Sequence, residues 1–339
     1  MSRRRYRQWL LVPIGGILVV FIAAVWFGIY FRRTPKALSQ TVVIDIERGQ
    51  SASDITRSLA DHGLIRHPAP FLWSYRIFFH GRSLKAGEYT LPAPLSPREI
   101  LILLTEGHVT LHPLTVPEGL TRLETAALLH QTYDIDKELF LNASAGPEAI
   151  AALDPDALDL EGYLFPETYH FLKDTSADDI VSAMVNEFKT VFTDSWKERC
   201  REIGFTVREC VILASLIEKE TSLTKEKALV SAVFHNRLQL GMKLDCDPTI
   251  IYALKQAGRF QGRLRTRDLR LDSPYNTYLT AGLPPGPIAN PGKDSLEAAL
   301  YPADVRFLYF VSQNDGSHHF SLTFREHQNA VIRYQKKKR

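Results

Sequence analysis

The stretch "LASLIEKETS" (residues 213–222) decides how this chain is read. An apolar run ends in three charges, Glu218-Lys219-Glu220, and a buried carboxylate is costly unless it is paired or put to use. On a helix over Arg208–Ser222, at about 100° per residue, Leu213, Leu216, Ile217 and Glu220 follow the i, i+3, i+4, i+7 pattern and share one stripe. Glu218 points to the side of Val211 and Ala214, and Lys219 to a third side. Before Ile217 the helix is apolar nearly all round, which predicts a central helix of its domain. A carboxylic acid among apolar neighbours keeps its proton, because the charged form is desolvated. That is the state needed to protonate a leaving oxygen near neutral pH. Glu220 is therefore the candidate acid, and Glu218 the candidate supporter through a salt bridge or hydrogen bond. A plainer reading also fits, in which both glutamates pair with buried arginines or amides and do nothing else.

Working outward, helical patterns at about 176–192 and 225–240 flank this stretch. "LEGYLFPETYHF" (160–171) packs aromatic side chains around Glu161 and Glu167. Beyond Leu240 the chain is rich in loops and motifs: "DPTIIYAL", "SPYNTYLTAGLPPGPIANPG" and "LYFVSQNDGSHHFS" come in turn. Proline and glycine cluster at 284–292, the composition of a long structured loop, and such loops in compact domains are commonly functional. Toward the N-terminus, "TVVIDI" (41–46) and "AGEYTL" (86–91) are strand-like, with helical patterns around Ile55–Leu59 and 70–79 between them. Pro92 and Pro94 end the second strand, and Ser96 can cap the helix "PREILILLTEG". The order β-α-α-β-α makes a unit to about Gly107. Ile46-x-x-Gly49-x-Ser51 recurs as Val116-x-x-Gly119-x-Thr121, each time a strand, a turn and a capped helix, a faint sign of duplication.

Trp9–Phe31 carries no charge and is long enough to span a bilayer as a helix, which takes about 20 apolar residues. Arg3, Arg4, Arg5 and Arg7 precede it. The run is long for a signal peptide, and Trp26, Phe27, Tyr30 and Phe31 stand where small residues would mark cleavage, so an uncleaved anchor is expected. The arginines before the span slightly outweigh Arg32, Arg33 and Lys36 after it, which favours an inside N-terminus with the bulk of the chain outside the cytoplasm. The chain has 339 residues, 45% hydrophobic and 23% charged, a folded composition with room for two domains. A net charge of +3, without zinc-finger spacing or a basic-region helix, speaks against a nucleic-acid binder. The basic end Lys336–Arg339 reads as a solvated tail. Cys200, Cys210 and Cys246 form no CxxC pair, so neither a metal site nor a disulfide framework is expected.

The motifs "LASLIEKET", "VFHNRL", "LDCDPTIIY", "PYNTYLTAGLPPGPIANPG" and "LYFVSQNDGSHHFS", in this order after "LEGYLFPETY", resemble the YceG-like family of endolytic murein transglycosylases. The resemblance covers essentially the whole chain and is densest from Leu160. It implies an α+β protein: a tail at 1–8, a transmembrane helix at 9–31, a linker at 32–40, a small LysM-like βααβ module at 41–108 and a mixed α/β catalytic domain at 109–335. The module could equally be a spacer without a ligand. The implied reaction cleaves the β-1,4 bond between N-acetylmuramic acid and N-acetylglucosamine within a strand, leaving a 1,6-anhydro end. The enzyme would be a cofactor-free lyase of the inner membrane facing the periplasm, acting on peptidoglycan strands beside the synthases, the penicillin-binding proteins. The pair Glu220-Thr221 resembles the Glu-Ser signature of lysozyme-like transglycosylases and selects the same acid as the helical wheel.

Tyr275, Asn276, Thr277 and Tyr278 offer amide and hydroxyl groups beside aromatic faces, and Asn276 is the foremost candidate for contacting the sugar. Asn236, Asp247, Thr249, Tyr252 and His318 are further candidates; Asn236 and Asp247 could instead be caps or turn residues. Asp245-Cys246 departs from the Gln and Ser or Thr expected there. Two other readings stay open: a two-carboxylate muramidase with Asp245 or Asp247 as the partner of Glu220, and a non-catalytic, membrane-anchored scaffold that binds peptidoglycan.

Overall fold

The computed structural model describes the backbone of residues 4–33, 40–92 and 94–336, and the side chains of 18–33, 40–92 and 94–335. The expected tail at 1–8, most of the expected linker at 32–40 and the basic end at 336–339 lie outside the described side chains. The chain is α+β and divides into two compact units, Met1–Pro113 with His170–Asp174, and Leu114–Tyr169 with Thr175–Arg339.

The first unit contains α1 (Arg4–Arg32), β1 (Val42–Ile46), α2 (Ala52–Asp61), α3 (Pro68–Phe78), β2 (Gly87–Leu91) and α4 (Pro97–Glu106). β1 and β2 pair antiparallel, from Val42 opposite Leu91 to Ile46 opposite Gly87. Alternation along β1 turns Ile44 and Ile46 into a core with Leu59, Phe71, Tyr89 and Leu101. Ser51 caps α2 by accepting the Asp54 N–H, and Ser96 forms a reciprocal capping box with Glu99 at the start of α4. The last turn of α1 belongs to this core: Phe31 is buried and stacks on Phe78 at 5.0 Å. Among the described residues, no helix is long and apolar enough to cross a membrane. The span expected at 9–31 includes residues 9–17, whose side chains lie outside the described ones.

β3 (His112–Thr115) and β4 (Thr168–Phe171) form a two-stranded sheet. The second unit is mainly helical: α5 (Arg122–Tyr133), α6 (Lys137–Ala143), α7 (Ala177–Val191), α8 (Asp194–Glu202), α9 (Val207–Glu220), α10 (Thr224–Gln239), α11 (Asp247–Gln256) and α12 (Lys293–Leu300). The antiparallel hairpin β5 (Tyr309–Ser312) with β6 (His318–Ser321), and α13 (Phe324–Val331), follow. α9 is the central helix expected from its pattern. Every residue from Cys210 to Ile217 is buried, and α8, α10, α11 and α12 pack around it. The proline- and glycine-rich loop is buried too, except at Pro285. Irregular backbone in a core needs partners for its polar groups. Here the Ile288 N–H donates to Ser215 Oγ (3.1 Å), the Asn290 N–H donates to the Leu120 carbonyl (2.9 Å), and the Asn290 carbonyl accepts from the Gly119 N–H (2.9 Å). Gly162 meets this loop with φ of +87°, and a Cβ there would lie 2.6 Å from Pro287, so only glycine fits. The local geometry of the sequence echo also repeats. Gly49 and Gly119 both have positive φ, and Ser51 and Thr121 both cap the helix that follows.

Candidate active site

Glu220 is the last residue of α9, and Thr221 leaves the helix in an extended conformation. A carboxylate at the negative end of a helix is disfavoured. The side chain is only partly buried, yet the sole hydrogen bond it receives among the described residues comes from a thiol: Cys246 Sγ donates to Oε1 at 3.0 Å. Burial pushes the Glu220 carboxyl up to about 7; the Cys246 thiol opposes this, the charge of Asp247 adds to it, and His318 and Arg237 pull it back. Burial, and then the charge of Glu220, push the Cys246 thiol well above its usual range.

Cys246 is held on three sides. It precedes α11; its N–H donates to Thr277 Oγ1 (3.0 Å), its carbonyl accepts from Thr249 Oγ1 (2.7 Å), and those two hydroxyls lie 3.0 Å apart. Thr249 and Thr277 are both buried. Asp247, exposed in the first turn of α11, accepts from the Tyr278 hydroxyl at 2.7 Å. Asp245 turns away. It sits at φ of +50° and pairs with Arg237 Nη1 at 3.3 Å. Arg237 is nearly buried, donates also to the Leu308, Lys243 and Leu244 carbonyls, and lies over the Tyr309 ring.

Glu218 has a contrasting environment. Its Oε2 accepts from Lys227 Nζ (3.2 Å), Ser295 Oγ (2.6 Å) and the Gly292 N–H (3.1 Å), tying α9 to α10 and to the start of α12. A buried carboxylate, Glu161, accepts from the Arg122 N–H at 3.0 Å, and Asn290 Nδ2 and the Tyr252 hydroxyl approach it at 3.4 and 3.5 Å. Burial pushes Glu161 up to about 8.

The sequence candidates fall into two groups. Glu220, Asp247, Thr249, Thr277 and Tyr278 form one cluster, connected through Cys246, which was not a candidate. Others are taken up by the protein itself. The foremost sugar-contact candidate, Asn276, is fully buried; both of its amide protons go to the Leu269 and Leu271 carbonyls, and its carbonyl oxygen accepts the Tyr278 N–H. It pins the loop that carries Thr277 and Tyr278 and has no amide proton left for a ligand. Asn236 likewise gives both protons to the Val305 and Phe307 carbonyls. Tyr252 is buried against Glu161 and packs on Tyr275 with ring centres 4.9 Å apart. Tyr275 stays partly open. His318 Nδ1 pairs with the buried Glu226 at 2.8 Å.

Arg237, Glu226 and Asn290 were not among the candidates. Asn290 Oδ1 accepts the Gly162 and Leu164 N–H groups, and its amide donates to the Leu120 carbonyl, so one side chain joins three distant segments. Its signal was available, as a lone amide in a proline–glycine loop. Glu226 carries no local mark. Among the described residues no group of three or more His, Cys, Asp or Glu could hold a metal ion.

A central apolar helix thus ends in a desolvated carboxyl held by a thiol, beside the buried threonines and the Asp247–Tyr278 pair of the cluster around Cys246. The chain matches the model of the YceG-like family over residues 44–333 and belongs to that family. It is 35% identical over 317 residues to the endolytic murein transglycosylase of Bacillus subtilis, covering 88% of this chain and 86% of that protein. It is 28% identical over 322 residues to the protein of the same name from Streptococcus pneumoniae, covering 86% of this chain and 58% of that longer protein. A crystal structure of a YceG-like protein from Listeria monocytogenes matches with a TM-score of 0.60 and 32% identity, over 86% of this chain and 99% of that one.

Proposed function

We propose that this chain is an endolytic murein transglycosylase, cleaving the bond between N-acetylmuramic acid and N-acetylglucosamine inside peptidoglycan strands, with Glu220 as its acid and base. The observation that carries this reading is the environment of Glu220: a desolvated carboxyl at a helix C-terminus, held near 7, with a thiol as its hydrogen-bond donor. Such a group holds a proton at neutral pH and can give it up. Glu220 protonates the glycosidic oxygen as the bond to C1 breaks. The substrate N-acetyl group supports the positive charge at C1. Glu220, now ionised, takes the C6 hydroxyl proton, and that oxygen closes on C1, leaving the 1,6-anhydro end without water. Asp247, Tyr278 and Tyr275 are the polar and aromatic groups best placed to meet sugar, and Glu218 holds the helix that carries the acid.

The membrane placement belongs to this proposal. α1 runs 29 residues, about 43 Å at the usual helical rise, and Val19, Val20, Phe21 and Ile22 on it are exposed. This favours an anchor in the inner membrane; the excess of arginines before the span over the basic residues after it favours the N-terminus in the cytoplasm, with the second unit in the periplasm, near peptidoglycan synthases. The βααβ portion of the first unit is read as a LysM-like module.

Digestion of purified glycan strands with the full chain, followed by mass spectrometry, tests the reaction. Anhydro-muramyl ends support it. Reducing ends would point to a muramidase using Asp247 as a second carboxylate, and intact strands to a non-catalytic scaffold.

A further inference from the structure

The first unit carries a cleft of about 720 Å³ that the reaction does not use. Its floor is apolar: Val25 and Ile29 of α1, 46% and 55% exposed, and Phe78 of α3, 56% exposed. Gly28 opens the middle of that floor, where a Cβ would meet nothing within 4 Å. The rim is cationic: Arg32 and Arg33 at the end of α1, and Arg98 in the first turn of α4. All three are exposed, and among the described residues none of their side chains makes an ion pair or hydrogen bond. The neighbouring carboxylate, Glu99, is occupied by the N–H and hydroxyl of Ser96, both at 2.7 Å.

Three exposed guanidinium groups, of which Arg98 also feels the charge of Glu99, above an aliphatic floor favour an anion that carries a hydrocarbon chain. Guanidinium groups match phosphate oxygens in bidentate fashion. An aromatic and aliphatic floor along a helix accepts an acyl chain, and a cluster of arginines at its end attracts an anionic headgroup. We propose that this cleft binds one anionic phospholipid, its phosphate between Arg32, Arg33 and Arg98 and an acyl chain along Val25, Gly28 and Ile29. The inference rests on the membrane-anchor reading of α1, which sets the rim at headgroup depth and the floor at acyl depth.

The test uses the full chain in nanodiscs of phosphatidylcholine with graded phosphatidylglycerol, read by native mass spectrometry for retained lipid. The wild type retains one phosphatidylglycerol per chain in preference to phosphatidylcholine. Replacing all three arginines by glutamine (R32Q/R33Q/R98Q) lowers that retention about tenfold or more, the scale of losing charge-assisted hydrogen bonds. Gly28→Leu fills the floor, leaves the charge and also expels the lipid. Equal retention of both lipids by the wild type, or wild-type retention by the triple variant, overturns the inference. So does displacement by glycerol 3-phosphate at the same concentration as by phosphatidylglycerol, which would leave an anion site without a lipid. Alkaline carbonate extraction of the membranes separates the two readings: an extracted chain sinks the anchor, whereas an integrated chain without lipid preference sinks only the cleft.

Discussion

Glu218 and Glu220 lie two residues apart on one helix, and the structure surrounds them with opposite chemistry. Glu218 meets an ammonium, a hydroxyl and a backbone N–H, all on one oxygen, and links three helices. Glu220 meets a thiol, a weak donor, at the end of the same helix. Strong donors hold a carboxylate in place. A weak donor in a desolvated setting leaves the proton on the acid and available. The difference lies in what the rest of the chain brings to each side chain.

The comparison breaks most directly at Glu220. Glu220→Gln should lower strand cleavage about 10²- to 10⁴-fold, the usual worth of a general acid, with the fold intact by circular dichroism. If that variant cleaves normally while Glu218→Gln is dead, the roles are reversed. The same substitution changes how stability depends on pH. The folded carboxyl titrates near 7 and the unfolded one near the usual carboxylate value, so between them the folded state binds the extra proton. The stabilisation is full below the unfolded value and lost as pH rises through about 7; Glu220→Gln should flatten that decline in denaturation curves.

Next in size is Glu218→Ala. It leaves Lys227, whose side chain is 4% exposed, with only the more open Glu118 at 3.6 Å. Breaking a buried pair costs about 3–5 kcal/mol, readable as a fall in the urea midpoint. Asn276→Ala should cost about 1–3 kcal/mol by orphaning the loop carbonyls it binds, and denaturation together with cleavage per folded molecule separates this from a lost sugar contact. The smallest effect sharpens the comparison. Cys246→Ser supplies a stronger donor to the ionised acid and should move the alkaline limb of kcat/KM down by about half to one pH unit, while Cys246→Ala moves it up.

Much of the helical frame was legible along the chain. α9 falls within two residues of the helix read from its apolar periodicity, and Ser96 caps α4 as its place before the apolar run implied. The stripe position of Glu220 singled it out without coordinates. Asn276 shows where that reading stops: amides beside aromatics look like a sugar contact, but its protons close onto backbone five and seven residues earlier. Nothing in residues 170–174 marks them as packing with the first unit rather than the second. Cys246, noticed only as a departure from the expected pattern, turned out to be the hydrogen-bond partner of the acid.

The sequence by itself determined the elements whose causes lie within a turn or two of chain: the apolar periodicity of α9, the caps at Ser51, Ser96 and Thr121, and the left-handed turns at Gly49 and Gly119. The tertiary structure alone decided the chemistry of each polar side chain, because the donor reaching Glu220 comes from 26 residues away and the one joining Glu218 to α12 from 77. Hydrogen bonding and desolvation act over a few ångströms in space, and only the folded chain brings those groups within that distance.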